Sequence, residues 1–200
     1  MPQPPPAIAL LFYYVAFFLL AVVVRAVLVY RRTQINPIVV VPGKGAKGYV
    51  SRTFRVLVVW WAVVVFGLVF VPKASVWLGA YEPLQIQALV WIGWLLLIVS
   101  LLWLLAAQAQ MGVSWRIGID AERTELVQSG LFSLSRNPIY LVVRVSMLGL
   151  FFVFPSAAAL ALIVGGEILI QVHVRFEEEH FSAMHPESFP DYCSRVRRWL

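Results

Sequence analysis

The sequence predicts an all-α, polytopic membrane protein of about five transmembrane helices closing on a C-terminal helical hairpin. Three observations predict it. Apolar residues make up 61% of the chain and its mean hydropathy is +0.83, well beyond a soluble domain, where roughly half the residues are apolar. The apolar residues fall in runs close to the ~20 residues a membrane-crossing helix needs. The basic residues collect in alternate connecting segments, as they do on the cytoplasmic side of membrane proteins. The net charge of +6 therefore argues for a membrane side rather than for nucleic acid. A single cysteine, Cys193, excludes an internal disulfide, and without matched His/Cys spacing it makes no metal site.

The elements follow in order. Residues 2–6 form a short proline-rich leader, and the apolar run behind them lacks the positive flank of a cleavable signal. Run one covers about 7–30 and closes on Arg31 and Arg32. Residues 33–53 hold Pro37, Pro42, Gly43, Gly45 and Gly48 and read as a loop. Run two spans about 54–71 and stops at Pro72. A polar turn with Lys73, Glu82 and Pro83 leads to run three, about 84–107. The long connection 108–137 suggests function rather than mere linkage. Run four, 138–154, starts on Pro138, which suits a first helical turn. Pro155 and Ser156 turn the chain into run five, about 157–174, and the charged tail beyond it is expected to carry a helix. The chain divides into a three-span region, 1–107, and a C-terminal core, 108–200.

Loop charge sets the orientation. Arg31, Arg32, Lys44, Lys47, Arg52 and Arg55 follow run one; Arg116, Arg123 and Arg136 follow run three; Arg175, Arg195, Arg197 and Arg198 lie in the tail. The opposite segments offer essentially Lys73 alone. Five spans with the N-terminus outside put all the basic segments in the cytoplasm, as in the inner or plasma membrane of a prokaryote.

Two polar blocks bracket the last hairpin. The first runs from Glu125 to Tyr140, the second from Arg175 to His180 and on to Phe189, Tyr192 and Arg198. The hairpin returns both to one membrane face. Inside it, Arg144 stands eleven residues before Pro155 and Glu167 twelve after, so the two lie at similar depth. Each alone would cost at least ~2.5–3.5 kcal/mol at the bilayer centre, which favours pairing. Two readings of that pair stand side by side, a packing ion pair and a pocket wall. Tyr140 and Arg144 share one helix face, as do Glu167, Gln171, Arg175 and Glu178 on the other helix, and the same count places Tyr140 level with Gln171. Glu177, Glu178 and Glu179 face a seam rich in arginine, Arg136 included. Carboxylates beside fixed guanidiniums suit a zwitterionic or cationic ligand.

Other patterns carry less. His180 and His185 have no third ligand nearby, so no metal is expected. Ser129 and Ser135 lack a paired base, and Gly112, Gly118 and Gly130 form no phosphate-cradling pattern. Trp60, Trp61, Trp77 and Trp91 read as interface anchors.

At the polar blocks the chain resembles a known family. Leu126, Val127, Gly130, Phe132, Arg136, Asn137, Pro138 and Tyr140 follow the "LVxxGxYxxxRHPxY" stretch of isoprenylcysteine carboxyl methyltransferases and phospholipid methyltransferases. Glu177, Glu178, His185, Pro186, Phe189, Tyr192 and Arg198 resemble the ending of the same proteins. The likeness covers about 112–200. It implies a membrane-embedded methyltransferase that uses S-adenosylmethionine in a cytoplasmic pocket, with 108–200 as the methyltransferase core. Carried over, the resemblance puts Thr124, Glu125, Leu126, Val127, Phe132, Asn137, Pro138, Ile139, Tyr140 and Glu177 on the cofactor. It sets His173 on the substrate side, while the charged seam itself makes Arg136, Glu178 and Arg144 the candidate catalytic residues and adds Arg175 and Glu167 to the substrate side. The implied acceptor is a lipophilic or lipidated molecule bearing a carboxylate, thiol or amine. The partners expected are membrane lipids, not nucleic acid or metal.

The chain also departs from that pattern. Asn137 stands for His, Phe132 and Phe189 for Tyr, Pro186 for Gly, and His173 for an Arg placed near the substrate. Arg175 or Arg144 would have to supply the charge that His173 lacks. The competing readings are an NADPH-dependent membrane reductase of the sterol type and a non-catalytic membrane partner.

Overall fold

The computed structural model describes residues 7–38, 46–115 and 125–200. Among them every regular element is helical: α1 (Ala7–Thr33), α2 (Ala46–Phe70), a short α3 (Ala74–Trp77), α4 (Gln87–Met111), α5 (Pro138–Val153), α6 (Ala157–Met184) and α7 (Ser188–Arg195). Three helices are long and apolar enough to cross a membrane: α1, α4 with its one-turn extension to Ser114, and α6. The apolar part of α2, Arg55–Phe70, and α5 are shorter.

The boundaries differ from the sequence expectation where no breaker marks them. Helix α2 begins at Ala46, inside the segment read as a loop, because Gly48 is its only interior breaker there and costs a helix only ~1 kcal/mol. Helix α4 runs on through Gln108 and Gln110, since glutamine is a good helix former. Helix α6 continues ten residues past Val174, because nothing from Arg175 to Met184 breaks a helix. It ends just before Pro186. Helix α5 starts on Pro138 as expected.

Helix α1 contains a π-helical stretch, Leu19–Val24. Steps of four residues drift round an α-helix by about 40° each, and one wider π turn reverses part of that drift. Tyr13, Ala21 and Val29 thereby stay buried on one inward stripe, with Arg25 between the last two.

Small residues let the later helices approach closely. A Cβ on Gly93 of α4 would lie 2.8 Å from the Gly149 carbonyl oxygen of α5, and one on Gly166 of α6 would strike Met147. Such contacts are how membrane helices pack when lipid supplies no hydrophobic drive. At the hairpin turn, the Ser156 hydroxyl caps α6 by accepting from the Ala159 N–H at 3.1 Å. The turn is tied to the α3 region by Tyr81 N–H to the Pro155 carbonyl, 2.8 Å, and Ala157 N–H to the Gly79 carbonyl, 2.9 Å.

One core joins the N-terminal helices to the hairpin, with Leu10, Tyr13, Val64, Val65, Leu97, Leu150, Phe154, Ile170 and Val174 among its members. The Tyr13 hydroxyl donates to the Leu97 carbonyl inside it. Trp61 is part of this packing, tilted or edge-on against Tyr13, Tyr14 and Phe17, and Trp60 donates to the Ala158 carbonyl. Trp77 and Trp91 instead lie on the outside, 75% and 67% exposed. Much of the remaining outer surface is leucine, isoleucine, valine and phenylalanine. So large an apolar surface is a lipid-facing one.

Candidate functional site

The site is built where the start of α5, the outer half of α6 and the C-terminal segment meet. Pro138 and Asn137 are buried. The Asn137 side chain does not cap α5; its Nδ2 donates to the Arg198 carbonyl at 3.2 Å. The Ser135 hydroxyl donates to the same carbonyl at 3.1 Å and accepts from the Asn137 N–H. The Arg136 N–H donates to the Arg197 carbonyl at 2.9 Å. Three of these bonds strap the end of the chain across residues 135–137, and the fourth holds Ser135 in place for it. Helix α7 and Val196 just beyond it anchor the strap, burying Phe189, Tyr192 and Val196 against Leu126 and Phe181. The Tyr192 hydroxyl donates to the Phe132 carbonyl at 2.6 Å, and burial pushes the phenol up to about 12.

Three tiers of charge run from the strap into the hairpin. At the top, Arg198 grips Glu178 in a two-point fork, Nε to Oε1 at 3.0 Å and Nη2 to Oε2 at 2.6 Å. Arg136 adds a second guanidinium 3.4 Å from Oε1. The Glu178 hydrogen bond holds the Arg198 guanidinium above its ordinary value, and a planar fork of this kind is the strong form of the pair. In the middle, Glu177 accepts from the Tyr140 hydroxyl at 2.8 Å and lies 3.3 Å from His173 Nε2. The Tyr140 and His173 rings sit 5.6 Å apart. At the bottom, Arg144 meets Glu167 at 2.6 Å, Gln171 donates to the same carboxylate oxygen, and the Trp199 ring lies 3.6 Å from the Arg144 guanidinium carbon.

Tyr140 thus bonds Glu177, farther along α6 than Gln171, with which the depth count had placed it level. Side chains lean toward the N-terminus of their helix. Tyr140 leans toward the strap and Glu177 back toward the turn, so they meet across an offset.

Of the residues singled out from the sequence, Arg136, Asn137, Tyr140, Arg144, Glu167, His173, Glu177 and Glu178 come together here. Phe132 and Leu126 lie under α7, Val127 is partly buried beside them in sequence, and Glu125 is exposed. Ile139 points to a different cluster, with Ala21, Leu104 and Val142. Arg175 is exposed and donates to the Gln171 carbonyl of its own helix. Thr124 lies outside the described residues. Trp199 and Ser135 complete the site without having been singled out for it. The signal for Trp199 is an arginine inside an apolar run, which requires more than one partner. No group of three or more His, Cys, Asp or Glu residues able to hold a metal occurs among the described residues.

An apolar helical bundle with a charged seam at one end defines an integral membrane protein whose polar chemistry sits beside lipid. A sequence profile of the phospholipid methyltransferase family matches residues 88–187, half of the chain, and the protein belongs to that family. Membership brings methyl transfer as the family's activity. The match begins in α4 and takes in the hairpin with Tyr140, Arg144, Glu167 and Glu177, and it stops before Arg198 and Trp199. No curated protein and no solved structure matches the chain.

Proposed function

We propose that this protein transfers a methyl group from S-adenosylmethionine to a lipophilic acceptor at the cytoplasmic face of the membrane. The observation that carries this reading is Glu177. Within a family of methyltransferases, it is a seam carboxylate held by a phenol and an imidazole rather than by a guanidinium. Glu167 and Glu178, by contrast, are each taken by arginine. A carboxylate that carries no guanidinium or ammonium among the described residues suits the cationic end of the cofactor. Residues 125–127, Phe132, Asn137, Pro138, Tyr140 and Glu177 would hold it. The bound cofactor supplies a methyl already activated on a sulfonium.

The chain's own residues then have three tasks. Arg136, Glu178 and the strap fix the mouth of the pocket. Arg144, Glu167 and His173 face the acceptor, and the Arg144–Glu167 bond restricts how it can lie. The apolar walls keep water from the reacting centre. A carboxylate or thiolate acceptor needs no base, whereas an amine must first lose its proton. An acceptor of the isoprenylcysteine type, a phospholipid amine and a lipophilic thiol are all compatible with this arrangement. Five spans with the N-terminus outside place the seam on the cytoplasmic side, with 108–200 carrying the chemistry and 1–107 supporting it.

Calorimetry on the purified protein with S-adenosylhomocysteine and with NADPH tests the reading. Binding of S-adenosylhomocysteine is expected, with loss of that binding in Glu177→Ala and no loss of fold by circular dichroism. A response to NADPH alone would assign the seam to a reductase instead. Incubation with methyl-labelled cofactor and lipid extracts then identifies the acceptor.

A further inference from the structure

A second polar cluster lies away from the seam, on the other side of the start of α5. There, Ile139 packs with Ala21 and Leu104, while its neighbour Tyr140 faces Glu177. The centre of the cluster is Arg25, an arginine within the apolar α1 directly after the π stretch. Among the described residues no carboxylate pairs with it. One guanidinium nitrogen, Nη2, donates to the Gly112 carbonyl at the end of α4, and the guanidinium carbon lies 5.9 Å from the ring centroid of Trp115, which is buried.

Capping α4 explains one donor of Arg25 but not the rest. Its Nε is buried without a partner. One turn before Gly112, Gln108 is 5% exposed; its Nε2 donates to the Ala21 carbonyl at 2.9 Å, and its Oε1 is buried without a partner. Leaving such groups unmatched costs roughly 1–3 kcal/mol each. A ligand that accepts at the guanidinium and donates to the amide oxygen would match both. Arg31 and Arg32, both exposed, extend the positive charge along the last turn of α1, and Arg32 lies two turns from Arg25 on the same face.

We propose that Arg25, Gln108 and Trp115, with Arg31 and Arg32 at the rim, form a binding site between α1 and α4 for the phosphate of an anionic membrane lipid whose head group also carries a hydroxyl. Guanidinium chemistry favours phosphate oxygens. Basic pockets between membrane helices near the cytoplasmic boundary are where anionic head groups are held. The hydroxyl answers Gln108 Oε1. The site does not depend on the methyl-transfer reading, because it uses none of the seam residues.

Native mass spectrometry and thermal unfolding of the purified full chain test this, with phosphatidylglycerol, phosphatidylcholine or inorganic phosphate added. Phosphatidylglycerol is expected to be retained and to raise the unfolding temperature; the other two are not. Arg25→Gln should abolish retention. Arg32→Gln, at an exposed position that leaves the helix contacts intact, should weaken it about fivefold, the worth of one basic residue near a membrane surface. If Arg25→Gln does not fold, Arg32→Gln alone decides. Equal retention of phosphatidylcholine, or unchanged retention in Arg32→Gln, would overturn the site. An equal response to inorganic phosphate would overturn the lipid as its ligand.

Discussion

Arg144 and Glu167 show what a single charge demands inside an apolar hairpin. The two meet at 2.6 Å, and the exposed side of the guanidinium is covered by the Trp199 ring. Glu167→Leu leaves Arg144 without its carboxylate and should lower stability by at least ~2.5 kcal/mol. Removing both charges together, Arg144→Leu with Glu167→Leu, should be milder than that single change, since an apolar pair often replaces a buried ion pair at little cost. Thermal unfolding of the four species in detergent measures the coupling. The double variant also separates the two roles of the pair. We expect it to fold and to lose methyl transfer, whereas full activity would assign the pair to packing alone.

A gentler residue-scale test is Tyr192. Its hydroxyl bond to the Phe132 carbonyl should make Tyr192→Phe less stable by about 1 kcal/mol. Burial raises the phenol from 10.0 to about 12. A group raised on folding contributes stability that is complete below its unfolded value and disappears as pH climbs through the folded one. The difference in stability between wild type and Tyr192→Phe should therefore hold up to about pH 10 and shrink between pH 10 and 12. An alkaline absorbance titration should show one tyrosine fewer ionising late in the variant.

At the scale of elements, α4 and α5 depend on the Gly93–Gly149 approach. A side chain at Gly93 would fall 2.8 Å from backbone and from Val153, atoms that cannot move aside. Gly93→Leu should separate the helices and cost roughly 1–3 kcal/mol or more. Gly67→Ala meets nothing within 4 Å and should be neutral or stabilising by up to about 1 kcal/mol. The unfolding temperature of Gly93→Leu should fall and that of Gly67→Ala should not; equal losses would show that the close Gly93–Gly149 approach is not what sets the cost.

The elements also show what a sequence can and cannot disclose. Pro138 and Pro155 bound α5 legibly because each forbids a backbone arrangement on one side. No such mark lies between Val174 and Met184, so the end at Met184 was not visible, although the shared face of Glu167, Gln171, Arg175 and Glu178 already carried the helix as far as Glu178. The Arg144–Glu167 pair was legible because an intramembrane charge needs a partner and the hairpin fixes depth. The fork of Arg198 on Glu178 and the ring of Trp199 over Arg144 were not legible. They depend on where a tail with no periodic pattern returns, which only the packing of α7 decides. Arg25 was hidden in the other way, inside a run read for its hydropathy.

At the scale of the whole molecule, five crossings require two short apolar stretches to span. Helix α5 has 16 residues, about 24 Å at 1.5 Å per residue, against a hydrocarbon core of about 30 Å. The apolar stretch Arg55–Phe70 of α2 is also below spanning length. Local thinning of the bilayer and flanking arginines that reach the interface make up such a deficit at modest cost. Internal contacts support the arrangement, because the turn after α2 and the turn before α6 are bonded to one another through Gly79, Tyr81, Pro155 and Ala157. They therefore lie at one end of the bundle, with the strap and seam at the other. The chain's sole cysteine makes this testable. In a Cys193→Ser background, Lys73→Cys should react with a membrane-impermeant thiol reagent added to intact cells. Arg52→Cys, Ser129→Cys and Ser194→Cys, all at exposed positions, should react only after the membrane is opened. Labelling of Arg52→Cys and Lys73→Cys from the same side would remove α2 from the spanning helices. Labelling of Ser129→Cys and Ser194→Cys from outside would invert the proposed orientation and place the seam beyond the reach of a cytoplasmic methyl donor.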